Sequence, residues 1–157
     1  MSKSGIFAAA RAKRAGARRG HASKTIYLSY DQGDSELAVK VAKGLQERGW
    51  PTWVDQREIL PGDNWAEKVS QALNDAGVII TLLTPAALDS TRILNDTSYA
   101  LGKKDVLFIP VIFGNMGKKE LPWFLHLMKS VRAPSSNNVK NIVDNIVERI
   151  KTRSVQS

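Results

Sequence analysis

The sequence predicts an α/β fold in which a parallel sheet lies between two layers of helices. Apolar or β-branched runs alternate with segments of helical spacing about five times along the chain. The run Val78–Leu83 is apolar throughout, which is typical of a strand covered on both faces. Helical crossovers between parallel strands leave helices on both sides of the sheet. The length of 157 residues suits one domain with one layered core.

Five segments are predicted as strands because they are rich in β-branched, aromatic or other apolar residues. They are residues 24–30, 51–54, 78–83, 106–113 and 130–133. The common solution for five such strands at this size is the strand order 2-1-3-4-5. The expected architecture is therefore a flavodoxin-like three-layer fold, with ligands bound beyond the carboxyl ends of the strands.

The helices are predicted from apolar residues at helical spacing and from capping signals. The long ones are residues 34–49, 64–77, 84–101 and 137–153, and a short one is expected at 122–129. Thr84-Pro85 pairs an N-cap with a proline at the first helical position, and a break is expected near residues 89–90. Residues 55–63 are predicted as a polar loop with a turn at Pro61-Gly62.

The net charge of +8 is concentrated at one end of the chain. Residues 1–24 hold seven basic residues and no acidic one, whereas the remainder holds 16 basic and 15 acidic residues. Residues 1–23 are therefore a basic arm, residues 24–153 the folded domain and residues 154–157 a tail. The apolar run 6–10 is too short for a signal-peptide core. Three interpretations of the arm stay open: a solubilising tail, contact with nucleic acid, anionic lipid or an acidic partner, and targeting.

Several kinds of site are not expected. The chain has no cysteine, no GxGxxG and no P-loop motif. A response regulator needs an aspartate after the third strand, where this chain has Thr84-Pro85. The positions of His21 and His126 suggest no serine–histidine–acid set. No metal site is expected. No membrane-spanning helix is expected either, because no window of the sequence approaches 18 apolar residues. The lack of cysteine fits a reducing compartment, and a cytoplasmic location is expected.

Short motifs at the predicted strand ends occur in a characteristic order. They are Tyr27-Leu-Ser-Tyr-Asp31, Trp53-Val-Asp55, Ile59-Leu-Pro-Gly-Asp-Asn-Trp65, Leu83-Thr-Pro85 with Ser90, Ala100-Leu101, Ile109-Pro-Val111 and Trp123-Phe124. In this order and spacing, residues 24–152 resemble a TIR (Toll/interleukin-1 receptor) domain of the bacterial type. Each motif is weak alone, but the ordered set is specific.

The resemblance implies one of two functions. Some TIR domains cleave NAD+ to nicotinamide and ADP-ribose or a cyclised product, and compact bacterial ones resemble components of anti-phage immune signalling. Others are scaffolds that assemble through TIR–TIR contacts. The implied partners are NAD+, further copies of the chain and a separate effector or sensor protein. NAD+ would be a substrate, so no bound cofactor is expected. Nucleic acid is a partner only if the arm binds it.

The resemblance also assigns a catalytic carboxylate. The family's glutamate precedes a small residue by four positions, which places it at Asp96 if Ala100 is that small residue. The aspartate side chain is shorter by one methylene, about 1.5 Å of reach. A tryptophan often found four residues before the glutamate is replaced here by Arg92. The leading interpretation is an NAD+-consuming enzyme with Asp96 as its carboxylate. The two departures motivate the alternative, a domain with weakened catalysis that acts as a scaffold.

Further site residues follow from the matched motifs. The substrate-binding set is Ser29, Tyr30, Asp31, Asp55, Arg57, Trp65 and Arg92, and the interface set is Leu60, Pro61 and Gly62. Two alternatives stay open. Trp65 lies at helical spacing with apolar residues, and such a tryptophan is more often a core residue than a substrate contact. Asp96 lies between Asn95 and Thr97, so it is equally compatible with a solvated helix surface.

Overall fold

The computed structural model describes residues 25–114, 125, 128–133 and 138–156, except for the side chains of residues 56, 57 and 153–156. Outside the described residues lie the predicted basic arm, residues 115–121 and most of the predicted helix 122–129.

The sheet has five parallel strands in the order β2-β1-β3-β4-β5, which confirms the predicted fold class. Its strands are β1 (Ile26–Ser29), β2 (Thr52–Trp53), β3 (Val78–Leu83), β4 (Leu107–Phe113) and β5 (Val131–Ala133). In the register of the sheet, Ser29 lies beside Thr81, so β1 and β3 end at nearly the same level. Side chains that follow β1, β2 and β3 are thus brought to one edge.

Five helices connect the strands or follow them within the described residues. They are α1 (Ser35–Glu47), α2 (Asp55–Glu58), α3 (Trp65–Asp75), α4 (Thr91–Gly102) and α5 (Val139–Gln156), with 3₁₀ turns at Gln32–Asp34 and Ala87–Asp89. The break predicted near residues 89–90 is present, because Ser90 caps α4 separately from the preceding turn. The prediction of an entirely polar loop over residues 55–63 is wrong, because α2 forms directly after β2.

Two apolar cores cover the two faces of the sheet. Alternate residues of a strand point to opposite faces, so β1 contributes to both cores. One core lies under α1 and α5, and its main members are Ile26, Leu28, Val41, Leu45, Ile80, Leu82, Ile142 and Ile146. The other lies under α3 and α4, and its main members are Tyr27, Trp53, Val69, Leu73, Ile79, Ile93 and Ala100.

Helices α1 and α5 approach each other closely at Gly44. A Cβ atom added at Gly44 would lie 2.8 Å from Cγ2 of Val143, a distance too short for van der Waals contact. The missing side chain of glycine is therefore what permits the spacing of these two helices. This pair closes the face of the sheet opposite to α3 and α4.

Candidate functional site

The candidate site lies at the carboxyl-terminal edge of the sheet, where β1, β2 and β3 end. Asp31 follows β1, Asp55 follows β2 and Thr84 follows β3. The Thr84 hydroxyl donates a hydrogen bond of 2.5 Å to Oδ2 of Asp34. This bond links the segment after β3 to the segment after β1, which holds one side of the edge together.

Helix α4 presents two charged side chains to this edge. Its first turn is capped by Ser90, whose Oγ accepts a hydrogen bond of 3.3 Å from the backbone N–H of Ile93. Arg92 and Asp96 are four positions apart on the helix and so lie on the same side, one turn from each other. Arg92 lies nearer the start of the helix, and its Nε is 3.7 Å from Oδ2 of Asp96.

The Asp96 carboxylate is held from the sheet by two hydroxyl groups of β1. Ser29 Oγ donates to Asp96 Oδ2 over 2.7 Å, and Tyr27 OH donates to the same oxygen over 3.1 Å. Asp96 is only 5% exposed. This burial raises the pKa of Asp96, and the hydrogen bond from Ser29 opposes the rise. Burial, followed by the charge of Asp96, also raises the pKa of Tyr27.

Arg92 connects Asp96 to a second carboxylate. Its Nη1 donates to Oδ2 of Asp55 over 2.7 Å. The other oxygen of Asp55 accepts a short hydrogen bond from the Tyr30 hydroxyl. The guanidinium carbon of Arg92 lies 5.0 Å from the ring centroid of Tyr30 and 5.8 Å from that of Trp65. These distances are within the range of cation–π attraction.

A cavity of about 590 Å³ opens at this edge, a volume within the range of small-molecule sites. Its lining combines two aromatic rings, two carboxylates and one guanidinium with smaller polar groups. The lining residues are Tyr30, Asp31, Gln32, Ser35, Asp55, Ile59, Trp65, Ser90 and Arg92. Asp96 and Ser29 do not line the cavity. Both are buried, and Asp96 contacts Arg92 on one side and the hydroxyl groups of β1 on the other.

The structure brings most of the predicted substrate-binding residues together. Tyr30, Asp31, Asp55, Trp65 and Arg92 all line the cavity, and Ser29 contacts Asp96 below it. Arg57 belongs to α2, and its side chain lies outside the described part of the chain.

Two of the alternatives left open by the sequence are wrong. A core position for Trp65 is excluded, since this residue is 49% exposed and lines the cavity. A solvated surface position for Asp96 is excluded by its burial and by its two hydrogen bonds. The predicted interface residues Leu60, Pro61 and Gly62 are exposed, with Leu60 at 57%.

The sequence did not identify every residue of the site. The sequence pattern predicts Tyr27 only as part of a strand, yet its hydroxyl contacts Asp96, 69 positions away. The available signal was the spacing of Tyr27 and Ser29, which places both on one face of β1. The cavity residues Gln32, Ser35, Ile59 and Ser90 were likewise not predicted as substrate contacts.

The described residues offer neither a metal-binding cluster nor a helix that could span a membrane. In residues 25–114, 125, 128–133 and 138–156, no three acidic or histidine side chains come close enough to hold a metal ion. No helix within these ranges has the length and the apolar character needed to cross a membrane.

The sequence matches the family model described as "TIR domain" over residues 26–147. This range covers the sheet, both cores except Ile150, and every residue around the cavity. No curated protein sequence matches the chain.

Solved structures show the same fold. The TIR domain of the Toll-related receptor TRR-2 from Hydra magnipapillata is 20% identical, with a TM-score of 0.61 over 84% of this chain and 98% of that one. A metazoan TIR-STING receptor from C. gigas, solved in complex with 2',3'-cGAMP, is 22% identical with a TM-score of 0.64, over 81% of this chain and 40% of that one. The TIR domains of the activated Roq1 resistosome are 20% identical, with a TM-score of 0.52 over 58% of each chain.

Proposed function

The chain belongs to the TIR domain family, and on that premise we propose that it consumes NAD+, as a glycohydrolase or a cyclase, in bacterial immune signalling. The observation that carries the proposal is the cavity at the carboxyl edge of the parallel sheet. Two aromatic rings, two carboxylates and a guanidinium converge there, with a third carboxylate directly behind. Ligands of open α/β sheets bind at this edge.

The proposed reaction breaks the bond between C1′ of the ribose and the nicotinamide nitrogen. The electron pair of that bond leaves with nicotinamide, which becomes neutral, while C1′ passes through an oxocarbenium-like state. Water then adds to C1′ and loses a proton to solvent. In a cyclase, a nucleophile of the same molecule adds in place of water. A carboxylate beside the ribose stabilises the positive charge that develops.

Asp96 is the carboxylate we propose for this role. Its position one turn after Arg92 and its hydrogen bonds from Ser29 and Tyr27 hold it in a defined orientation. A preorganised charge of this kind needs no rearrangement of water during the reaction. Because Asp96 lies behind Arg92, contact with the ribose requires the Arg92 side chain to move.

The test measures, by chromatography, the nicotinamide that the protein releases from NAD+. The full chain is assayed alone and under crowding. Asp96→Ala removes the proposed carboxylate, and Asp144→Asn is the matched control because Asp144 lies on α5, under the opposite face of the sheet. We expect the wild type and Asp144→Asn to release nicotinamide at similar rates. In Asp96→Ala the rate should fall by at least about a hundredfold. Equal rates in the wild type and Asp96→Ala would refute the proposal.

A second candidate function is a TIR scaffold with weakened catalysis. The observation that favours it is the enclosure of Asp96, which is bound by two hydroxyl groups and separated from the cavity by Arg92. The segment after α2 is in contrast exposed, with Leu60 projecting at 57% exposure. Exposed loops of this kind often carry the residues that bind other molecules.

The scaffold candidate is tested by self-association, measured by light scattering against protein concentration. Gly62→Ala strains the turn, since Gly62 has a φ of +94°, and Pro61→Ala changes its rigidity. Gly102→Ala is the control, because a Cβ there meets nothing within 4 Å. We expect the first two variants to weaken assembly, while Asp96→Ala assembles normally. Assembly lost only in Asp96→Ala would reject the scaffold.

A further inference from the structure

The Arg92 guanidinium lies between two aromatic rings and two carboxylates. Its central carbon is 5.0 Å from the Tyr30 ring centroid and 5.8 Å from the Trp65 ring centroid. Its Nη1 is 2.7 Å from Asp55 Oδ2, and its Nε is 3.7 Å from Asp96 Oδ2. The chain thus surrounds its own planar cation with the groups that attract planar cations.

The charges around the Arg92 guanidinium indicate which kind of group this space would bind if the Arg92 side chain moved away. Asp55 and Asp96 carry two negative charges when ionised, and among the described side chains Arg92 supplies the positive charge that contacts both. If the guanidinium moved away, two carboxylates and two aromatic rings would face the vacated space. Such a space favours a flat group with a positive charge.

One end of the guanidinium is only loosely held. The Nε atom of Arg92 is buried and has no hydrogen-bond acceptor among the described residues. The contact from Nη2 to the Tyr27 hydroxyl is long, at 3.4 Å. The short bond from Nη1 to Asp55 is therefore the main polar contact that must break before Arg92 can leave.

We propose that Arg92 is an internal plug: its guanidinium fills a subsite for a planar cationic group, and a ligand must displace it to enter. The inference rests on the proposed function, in which the planar cation is the pyridinium ring of NAD+. Displacement of the plug also removes the side chain that separates Asp96 from the cavity. Ligand entry and exposure of the proposed carboxylate are then one event.

The first experiment removes the Arg92 side chain by mutation and measures whether small planar cations bind in its place. Full-length Arg92→Ala and wild type are titrated with methylguanidinium and, separately, with 1-methylnicotinamide, a planar pyridinium cation. Calorimetry measures binding. We expect Arg92→Ala to bind both cations at least about tenfold more tightly than wild type. Arg132→Ala is the matched control, since Arg132 is exposed on β5, and it should bind like wild type.

The same variants are then compared for NAD+ affinity and nicotinamide release. The plug predicts that Arg92→Ala binds NAD+ more tightly than wild type and that methylguanidinium competes with NAD+ in this variant. Weaker NAD+ binding in Arg92→Ala, with no binding of methylguanidinium, would show that Arg92 is itself a ligand contact and would overturn the proposal. Cation binding without nicotinamide release would refute the proposed function and leave the plug supported.

A second measurement does not depend on the folding of Arg92→Ala. Arg92→Gln keeps a planar polar group without the charge and is titrated in the same way. In wild type, the Nε–H resonance of Arg92 is followed by NMR while NAD+ is added. Displacement should move this resonance toward that of a free arginine, because the ring currents of Tyr30 and Trp65 no longer act on it. An unmoved resonance at saturating NAD+ would overturn the plug.

Discussion

The hydroxyl of Ser29 donates a hydrogen bond of 2.7 Å to the Oδ2 atom of Asp96, joining the end of β1 to the middle of α4. Both residues are buried. A hydrogen bond to a buried charged group contributes about 1.5–3 kcal/mol, and its loss leaves the charge poorly solvated. This contact is therefore expected to stabilise the fold as well as to orient the carboxylate.

A double-mutant cycle on Ser29 and Asp96 measures that contribution. We expect Ser29→Ala to lower the free energy of unfolding by about 1–3 kcal/mol near neutral pH. In an Asp96→Asn background the same change should have a smaller effect, because the charged acceptor is gone. Urea unfolding followed by circular dichroism gives all four values. Additive effects of the two substitutions would show that the hydrogen bond is energetically unimportant.

The buried Asp96 also makes stability depend on pH. Burial raises its folded-state pKa above the ordinary value of 3.8, so the folded protein binds this proton more tightly than the unfolded chain does. The stabilisation from protonated Asp96 is complete below about pH 4 and is lost as the pH rises through the folded-state pKa. Asp96→Asn mimics the protonated form. The free energy of unfolding of Asp96→Asn, relative to that of wild type, should thus increase as the pH rises through the folded-state pKa of Asp96. Urea unfolding at a series of pH values measures this difference. A constant difference would contradict the raised pKa.

Replacing Asp96 with glutamate tests whether the length of this side chain limits the rate of nicotinamide release. Asp96→Glu adds one methylene, about 1.5 Å, and a misplacement near 1 Å costs on the order of a hundredfold in rate. We expect nicotinamide release to increase by up to about that factor. Asp144→Glu is the control for the same change made on α5 and should leave the rate unaltered. An unchanged rate in a folded Asp96→Glu variant would show that reach is not limiting.

The contact of α1 with α5 predicts a specific loss of stability. In Gly44→Ala the new Cβ would lie 2.8 Å from Val143 Cγ2, so either the Val143 side chain must leave its rotamer or the helices must separate. Overpacking of this kind costs about 1–3 kcal/mol, which outweighs the gain of up to about 1 kcal/mol in helix propensity. Thermal unfolding measures the change. Gly44→Ala combined with Val143→Ala should recover part of the loss, whereas Gly102→Ala should not destabilise.

The fold could be predicted because hydrophobic periodicity is a local property. Each long helix and strand shows its own spacing, and parallel strands linked by helices leave few possible arrangements. Helix α2 was missed because four residues are too few to show a helical period. Its first residue, Asp55, is nevertheless a main contact of the site.

The site was harder to predict because its contacts join distant parts of the chain. Trp65 continues the apolar stripe of α3, so spacing alone cannot separate it from Val69. It is exposed because it begins the helix at the cavity, where the sheet has ended. The pairing of Arg92 with Asp55 joins residues 37 positions apart. Only the order of the strands brings the ends of β2 and β3 near each other.

The hydrogen bond between Thr84 and Asp34 gives the two sides of the cavity different mechanical properties. The ends of β1 and β3 are joined directly to each other by this bond. The segment after β2 is joined to Tyr30 and Arg92 through its first residue, Asp55, and follows a strand of only two residues. Amide hydrogens of residues 55–63 should consequently exchange with solvent faster than those of residues 31–34, and slow down when a ligand is bound. Entry to the cavity would then occur by local opening beside β2, with the remainder of the sheet held rigid.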